Sequence, residues 1–504
     1  MRQTLRRVAY RTPRTLLRPL YVLAMIATVT VQGCSLNDLV DGSALPSNMK
    51  DPKVVKNAAG AIALYNDAIL AFSTAVGWGS TGEQDDAVIG SFISVSGIFT
   101  DELQVSFQRL PNAFPTSSHY AIDSRTVPEN EVSGRLSEMA ARPYLYLHTV
   151  RASAREAIGA LHKYVPDTSR VRIGHLYAIE AVAEVLLAEL YCSGIPLSTM
   201  NFESDYTLTG AISSEGVYRH ALTLLDSALM YALDSPRITN LVKVTRGRAL
   251  LALGDYEAAA NAVASVPVEY RYELTYSNNA RSFFFRNVPC PGCVAWAVTV
   301  ADRKGQNGAP YVSGNDPRTA TITLSPTVQF PLKYATTGLS PIILSSGVEA
   351  RLIEAEAALQ ANDTTEWLRV LNALRTSGTF TVTTNPGNPA VQDTVWVPGT
   401  GAVLFTGQLP AFPGLRPLAD PGADTARVSM LFAERAAWLF LTGHRQGDLR
   451  RMVRQYRRDE ATVYPSGLWG PQRLVTYGSD VTLPAAFNEQ QRNPLYHGCL
   501  SREA

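Results

Sequence analysis

Several signatures that mark common enzyme classes are missing from this 504-residue chain. It has no HExxH, no EF-hand loop, no four-cysteine zinc set, no GxSxG elbow, no Walker loop and no dinucleotide fingerprint. No catalytic constellation can therefore be named, and neither a cofactor nor a metal is expected. Strong charge is missing too, because the net balance is only +1. Cysteine is scarce, with five residues. Acidic residues are absent before Asp38, and no apolar run after Cys34 reaches the ~20 residues that span a bilayer as a helix.

The acid-free start instead carries Arg2, Arg6, Arg7, Arg11, Arg14 and Arg18. An apolar run, Leu20 to Val31, follows, and Val31-Gln32-Gly33-Cys34 closes it. This order of basic, apolar and small-residue segments is that of an export signal. A glycine followed by cysteine at the cleavage position resembles the bacterial lipobox. Residues 1–33 then read as a lipoprotein signal peptide, Cys34 as the lipidated first residue, and 34–50 as a tether. A plain signal peptide and a mitochondrial-type presequence are the alternatives. Removing the six arginines from the 45 bases leaves 39 against 44 acids, a balance of −5. Nucleic acid needs a clustered basic surface, so it is not an expected partner. The local run Arg445, Arg450, Arg451, Arg454, Arg457 and Arg458 falls mostly on a helical pattern and reads as a solvated or salt-bridged face.

An exported chain meets an oxidising compartment. Cys290-Pro291-Gly292-Cys293 sits in a Pro/Gly-rich loop, which disfavours a redox pair, and lacks the second ligand pair of a zinc site. A small disulfide between Cys290 and Cys293 is the first reading. A Cys192–Cys499 bond is also allowed.

Helical periodicity dominates about 54–267 and 347–458. Stretches with apolar residues at helical spacing include Val54–Ala75, Leu136–Tyr164, Arg170–Cys192, Glu215–Leu233, Gly347–Ala361, Thr365–Thr376, Thr425–Gly443 and Asp448–Arg458. Leu241–Leu253 and Tyr256–Ala264 are joined by two residues, so they must pack antiparallel. Gly247, Gly254-Asp255-Tyr256 and Ala259 have tetratricopeptide spacing, with small residues where two helices approach. Two Gly/Pro/Thr-rich insertions, about 268–345 and 377–427, carry short strand-like runs, and 459–504 is a loop-rich tail. The fold class is mainly α: a tetratricopeptide-like helical-hairpin array with long irregular insertions and a few short strands, in one domain over 51–504.

A set of ordered motifs sharpens this. Glu434-Arg435, Leu439, Gly443-His444-Arg445 and Asp448-Leu449-Arg450-Arg451 lie late in the chain. Glu349-Ala350-Arg351-Leu352-Ile353-Glu354-Ala355-Glu356-Ala357 and Asn372-Ala373-Leu374-Arg375 precede them. Leu190 to Leu197 comes earlier, and Pro484, Glu489 and Asn493-Pro494 close the series. Together they resemble the SusD/RagB family of outer-membrane nutrient-uptake lipoproteins, over essentially all of the mature chain. Trp438 and Thr442 depart from the family's usual glutamates. The resemblance implies a lipid-anchored, surface-facing outer-membrane protein. Such a protein binds a nutrient oligomer, most often a glycan and otherwise a peptide, and delivers it to a SusC-like TonB-dependent barrel.

Glu434, Arg435, Arg445 and Asp448 are spaced to pair between adjacent helices around the Gly443 turn, a structural task. Binding is expected of aromatics in the loops, since flat rings stack on sugar faces while polar groups fix orientation. Trp78 is the first candidate, then Trp296, Tyr311 and Tyr120, with Phe114 and Trp469 in comparable loops. Trp367 and Trp438 fall in helices and belong to the core. Asp85-Asp86 and Asp101-Glu102 are carboxylate pairs in or near aromatic-bearing segments that a glycosidase reading can point to, and adjacency in sequence does not supply a cleft. Two other classes compete with capture. One is a tetratricopeptide envelope scaffold, which should have short loops and a smooth groove. The other is a lipid-anchored glycan hydrolase, which should turn over an oligosaccharide.

Overall fold

The computed structural model describes residues 55–504 except 80–89, 106–117, 129–137, 201–205, 277–280, 283–297, 326–327, 332, 335–340, 377–381, 384–392, 398–400, 406–414 and 471–474. Cys34, Asp85-Asp86, Phe114, Cys290, Cys293 and Trp296 lie outside the described residues.

Helices stack in chain order. α1 (Ala58–Gly77) is followed by the short α2 (Phe92–Phe99) and α3 (Ser118–Asp123). α4 (Glu138–Tyr164) packs on α1 and on α5 (Arg170–Leu190), which packs on α6 (Ser214–Ala232). α6 meets α7 (Pro236–Leu253), and α7 turns into α8 (Tyr256–Val263). α8 packs on α9 (Gly347–Gln360), which pairs with α10 (Thr364–Thr376). α11 (Asp424–Trp438) returns to α9, and α12 (Arg445–Arg454) touches both α2 and α5. α13 (Glu460–Val463) and α14 (Phe487–Arg492) belong to the tail. The mainly helical array read from the periodicity is thus what the chain forms.

α5 is the centre of the array. From Ile173 to Leu190 every residue but Tyr177 is buried. A helix buried all round has no solvent face on which to place charge, yet α5 carries Glu180, Glu184 and Glu189. Neighbouring helices supply the counter-charges: Arg155 and Arg151 from α4, and Arg248 from α7. Gly174 is needed for the α5–α6 contact, because a Cβ there would sit 2.5 Å from the Ala232 Cβ.

The α7–α8 hairpin forms for the reasons its sequence suggested. Gly254 takes φ +81°, Asp255 caps α8 by accepting from the Ala258 N–H, and a Cβ on Gly247 would lie 2.6 Å from Val263. One reading is corrected. α1 is, by length and composition, apolar enough to cross a membrane. Its Leu64, Ala68, Phe72 and Val76 are instead buried, and the helix packs on α4 as a core helix.

The strands pair only as two- or three-stranded antiparallel ribbons among the described residues. Within the insertions, Thr321–Ser325 pairs with Val328–Pro331, and Asp393–Val397 pairs with Gly401–Phe405. Two further ribbons tie the first insertion to the chain after α1 and α2. Trp78–Gly79 pairs with Arg281–Ser282, and Leu103–Val105 pairs with Val298–Val300.

The C-terminal tail is fastened to the end of α5. Cys192 and Cys499 form a disulfide across 307 residues of sequence. Around it the Cys192 N–H donates to the Leu483 carbonyl at 2.8 Å and the Leu500 N–H to the Ser193 carbonyl at 2.7 Å. Gly194, at φ +115°, lets the tail approach: a Cβ there would lie 2.5 Å from the Leu500 nitrogen. Cross-linking so distant a pair restricts the unfolded chain, so Cys499→Ser should cost about 2–4 kcal/mol in denaturant unfolding. An unchanged midpoint would show that the tail is held by its hydrogen bonds alone.

Candidate ligand-binding face

The loop face rests on buried charge. Asp448 accepts from Arg435 at 2.9 and 3.0 Å and from Arg451 at 3.0 Å, and Arg451 also reaches Glu356 at 2.8 and 3.1 Å. Arg445 forks onto Asp101 at 2.7 and 2.8 Å. Glu434 accepts from Arg318 at 2.7 and 3.1 Å and from Arg375 at 2.5 Å. Of the four residues expected to pair across the Gly443 turn, only Arg435 and Asp448 do so. Glu434 and Arg445 reach partners remote in sequence, which local spacing cannot reveal. The arginine run divides: Arg445 and Arg451 are buried and salt-bridged, Arg450 is buried, and Arg454 and Arg457 are exposed. Arg450 donates to the Ala188, Glu189 and Tyr191 carbonyls, at 2.5, 3.2 and 3.2 Å, and so satisfies the orphan acceptors at the C-terminus of α5.

From this base the loop segment 301–319 rises. Lys304 is buried at its root, 2.5 Å from the Asp123 carboxylate, and donates to the Thr100 and Leu103 carbonyls at 2.8 and 3.0 Å. Burial lowers its pKa, and the Asp123 contact opposes that shift. Asp302 orders the next turn by accepting from the Val312 and Ser313 N–H groups. Arg125 holds the facing tail segment, donating to the Pro465 and Asp480 carbonyls at 2.6 and 2.7 Å.

Between these segments lies a depression of about 410 Å³, lined by Gln104, Asp302, Arg303, Gln306, Leu468 and Tyr477. Amide, guanidinium, carboxylate and phenol groups around an exposed Leu468 suit a ligand rich in hydroxyls. Gln104 lies on the strand paired with Val298–Val300, which begins two residues after Trp296. The other end of that insertion, Arg281–Ser282, pairs with Trp78–Gly79, with Trp78 opposite Ser282. The backbone therefore ties the Trp78 strand and both ends of the Trp296 segment to the loop side of α1 and α2.

The two tyrosines do not line that depression and are buried, not on the loop surface where the sequence reading put them. Tyr120 is 2% exposed and packs edge-on against Trp469, centroids 5.6 Å apart; Trp469 is itself buried and donates to Asp123 at 3.0 Å. Tyr311 is 3% exposed and stacks on Phe440 at 4.7 Å. It lines a second cavity of about 470 Å³ with Arg318, Glu434 and Arg445. Tyr120 falls within α3 rather than in a loop, and both rings pack on neighbouring aromatics. Gln104, Arg303, Gln306 and Tyr477 were not singled out from the sequence. The run Gly305-Gln306-Asn307-Gly308 is a local turn signal near them, and it does not reveal what they line. Among the described residues no group of three His, Cys, Asp or Glu side chains could hold a metal ion.

The chain has the fold of the SusD superfamily. A SusD superfamily protein from Parabacteroides distasonis superposes with a TM-score of 0.60 at 13% identity, over 88% of this chain and 100% of that one. One from Bacteroides thetaiotaomicron gives 0.57 at 11% identity, over 88% and 100%. A SusD-like carbohydrate binding protein from Bacteroides vulgatus gives 0.57 at 12% identity, over 88% and 97%. By sequence, no family model and no curated protein matches the chain.

Breaking the buried network should be costly. Asp448→Ala leaves Arg435 and Arg451 without a full set of acceptors and should lose about 3–5 kcal/mol in urea unfolding. Burial alone would raise the Asp448 pKa, but Arg435 and Arg451 outweigh it and hold the carboxyl well below the usual range. Its contribution is therefore present above the unfolded-state pKa of about 3.9 and is lost as pH falls below that value. Stability of Asp448→Asn should fall less between neutral pH and pH ~3 than that of the parent. Identical pH slopes would remove Asp448 from the account.

Proposed function

We propose that this chain is an outer-membrane lipoprotein, anchored through Cys34, that captures an oligosaccharide and passes it to a SusC-like TonB-dependent barrel. The observation that carries the reading is the SusD-superfamily fold across 88% of the chain. The chemistry of the loop face supports it: a polar depression whose Gln104 strand pairs with Val298–Val300 of the first insertion, the insertion that also pairs with the Trp78 strand. A carbohydrate-binding protein among the similar structures favours a glycan over a peptide. Trp78 and Trp296 are the rings proposed to stack on the sugar. Gln104, Arg303 and Gln306 would fix its hydroxyls. A lid tethered over a pore raises the local ligand concentration, so modest affinity suffices. The length of the two insertions counts against an envelope scaffold, which should have short loops and a smooth groove.

Binding of an oligosaccharide panel to the full-length protein in detergent tests the capture step. Trp78→Ala and Trp296→Ala should each weaken the best ligand about 5–10-fold while leaving the melting temperature in place. Unaltered affinity in both variants would move the site elsewhere. Pull-down from gently solubilised outer membranes tests delivery. A large β-barrel should co-purify at near-equal stoichiometry, and recovery of soluble envelope proteins without one would leave the scaffold reading in its place.

A further inference from the structure

The cavity of about 470 Å³ beside Tyr311 lies between the loop segment 307–319, α11, α12 and α13. It shares no lining residue with the depression at Gln104, and every residue that lines it is among the described residues. Its volume is in the usual range for small-ligand sites. Ser429, Ala433 and Thr462 are exposed at its mouth, while Tyr311, Arg318, Glu434 and Arg445 are buried deeper in. The loop wall is fixed by its own bonds. The Thr319 hydroxyl donates to the Tyr311 carbonyl at 2.8 Å, the Gly314 N–H to the Pro310 carbonyl at 2.9 Å, and the Asn307 amide to the Tyr464 carbonyl at 3.0 Å.

Three features define what this cavity can hold. The first is charge balance. Arg318, Arg375 and Arg445 are matched by Glu434, Asp316 and Asp101, and all six are in ion pairs. A wall already paired gives a further net charge no counter-ion, so the ligand is neutral. The second is the direction of the spare hydrogen-bonding capacity. Glu434 is occupied by Arg318, Arg375 and, at 3.2 Å, the Trp438 indole, and Asp316 accepts three bonds from Arg318. Donors are left over instead. Arg445 uses Nε and Nη2 on Asp101 and keeps Nη1, and Arg375 uses Nε on the Arg416 carbonyl and Nη1 on Glu434 and keeps Nη2. The buried Tyr311 hydroxyl has no hydrogen-bond partner among the described residues. Burial holds its pKa well above the usual range, so it stays a donor. A buried hydroxyl left empty costs free energy, and native structures rarely leave one so. The third feature is an apolar wall. Ala433, Ala436 and Ala437 share one face of α11, with Met452 and Val463 beside them, and leave methyl-sized recesses.

These features select among ligands. A carboxylate or an ammonium group would enter as an uncompensated charge. A hydrocarbon would leave the tyrosine hydroxyl and the guanidinium N–H groups empty. An unmodified sugar brings as many hydroxyl donors as acceptors, and the buried carboxylates are already occupied. An acetamido group meets all three demands: it is neutral, its carbonyl oxygen accepts two bonds, and its methyl group packs on the alanines. We propose that the cavity between the 307–319 loop and α11 binds the acetamido group of an N-acetylated sugar, at a site separate from the loop face. That a sugar carries the group rests on the capture reading above; recognition of the group itself does not.

Triacetylchitotriose and cellotriose differ only in that each acetamido group of the first is a hydroxyl in the second. Both would be titrated into the full-length protein in detergent, by calorimetry and saturation-transfer NMR. Triacetylchitotriose should bind saturably with a dissociation constant at or below about 1 mM, with the strongest transfer at its acetyl methyl protons, and cellotriose at least about 5-fold more weakly. Tyr311→Phe keeps the ring on Phe440 and removes only the hydroxyl. It should weaken triacetylchitotriose about 5-fold without lowering the melting temperature. Ala433→Leu, at an exposed position, narrows the mouth and should weaken binding about 10-fold or more at the same melting temperature. Trp78→Ala should leave this binding in place. Absence of saturable binding, or equal affinity for cellotriose, would overturn the proposal. So would a melting temperature lowered by Tyr311→Phe, which would give the hydroxyl a structural partner. Binding lost in Trp78→Ala, or indifferent to Tyr311→Phe and Ala433→Leu, would place the ligand outside this cavity. N-acetylalanine methylamide binding as tightly as the trisaccharide would remove the sugar as the carrier, and with it the link to the capture reading.

Discussion

A ten-residue helix with little apolar surface sits in the middle of this protein, and the rest is arranged to neutralise it. α12 buries Arg445, Asp448, Arg450 and Arg451. None of these could stay charged in a protein interior alone, since an unpaired buried ion costs several kcal/mol. Each partner comes from a different part of the chain: Asp101 after α2, Arg435 on α11, the last carbonyls of α5, and Glu356 on α9. Pairing α12 therefore fixes four other elements relative to one another. The same logic operates in α5, whose Glu184 and Glu189 are matched by Arg151 with His220 and by Arg248. Apolar packing holds the helices together, and these charged contacts restrict which arrangement they can adopt.

That restriction reaches the loop face. Asp101 is held by Arg445, the adjacent Glu102 accepts from the Leu441 N–H at 2.6 Å, and the strand beginning at Leu103 pairs with Val298–Val300. Lys304 then anchors the segment 301–319 to the same strand, while the Cys192–Cys499 bond and Arg125 set the tail beside it. A depression framed by segments this well tied is largely formed before a ligand arrives. That lowers the ordering cost of binding. Long loops on a helical array are thus compatible with a preorganised site.

The array was legible because its signals are local. Periodicity, the Gly254-Asp255 turn and the small residues Gly247 and Ala259 all act within a few turns of chain, and the structure places the helices within a few residues of where they were read. The motif around Glu434 and Asp448 was legible as a pattern but not as a set of pairs. Arg318, Asp101 and Glu356 lie 95 to 344 residues from their partners in sequence, and no spacing rule reaches them. Aromatic loop residues were the least legible class. Tyr120 and Tyr311 read as loop residues in the sequence, yet Tyr120 falls in α3 and both pack inward, on Trp469 and Phe440. Whether a loop aromatic faces solvent is decided by what the fold brings beneath it.

A perturbed carboxyl is likewise not by itself a sign of chemistry. Burial pushes the Glu102 pKa up to about 7, a value that in a cleft would suit a general acid. Here the group is 2% exposed and already bonded to the backbone. Burial also pulls the Lys333 amine down to about 7, with the charge of Glu102 opposing it, and that amine lies over the rings of Tyr334 and Phe440 at 5.2 and 5.4 Å. Both shifts come from burial, the charge of each group works against the shift of the other, and neither needs a reacting partner. Asp101, next in sequence, is held on the opposite side of its usual range: burial would raise it, but Arg445 overrides burial. Two adjacent carboxyls with pKa values pushed apart are the pattern by which acid and base assignments are usually found. In this chain the pattern comes from anchoring the loop face to α12.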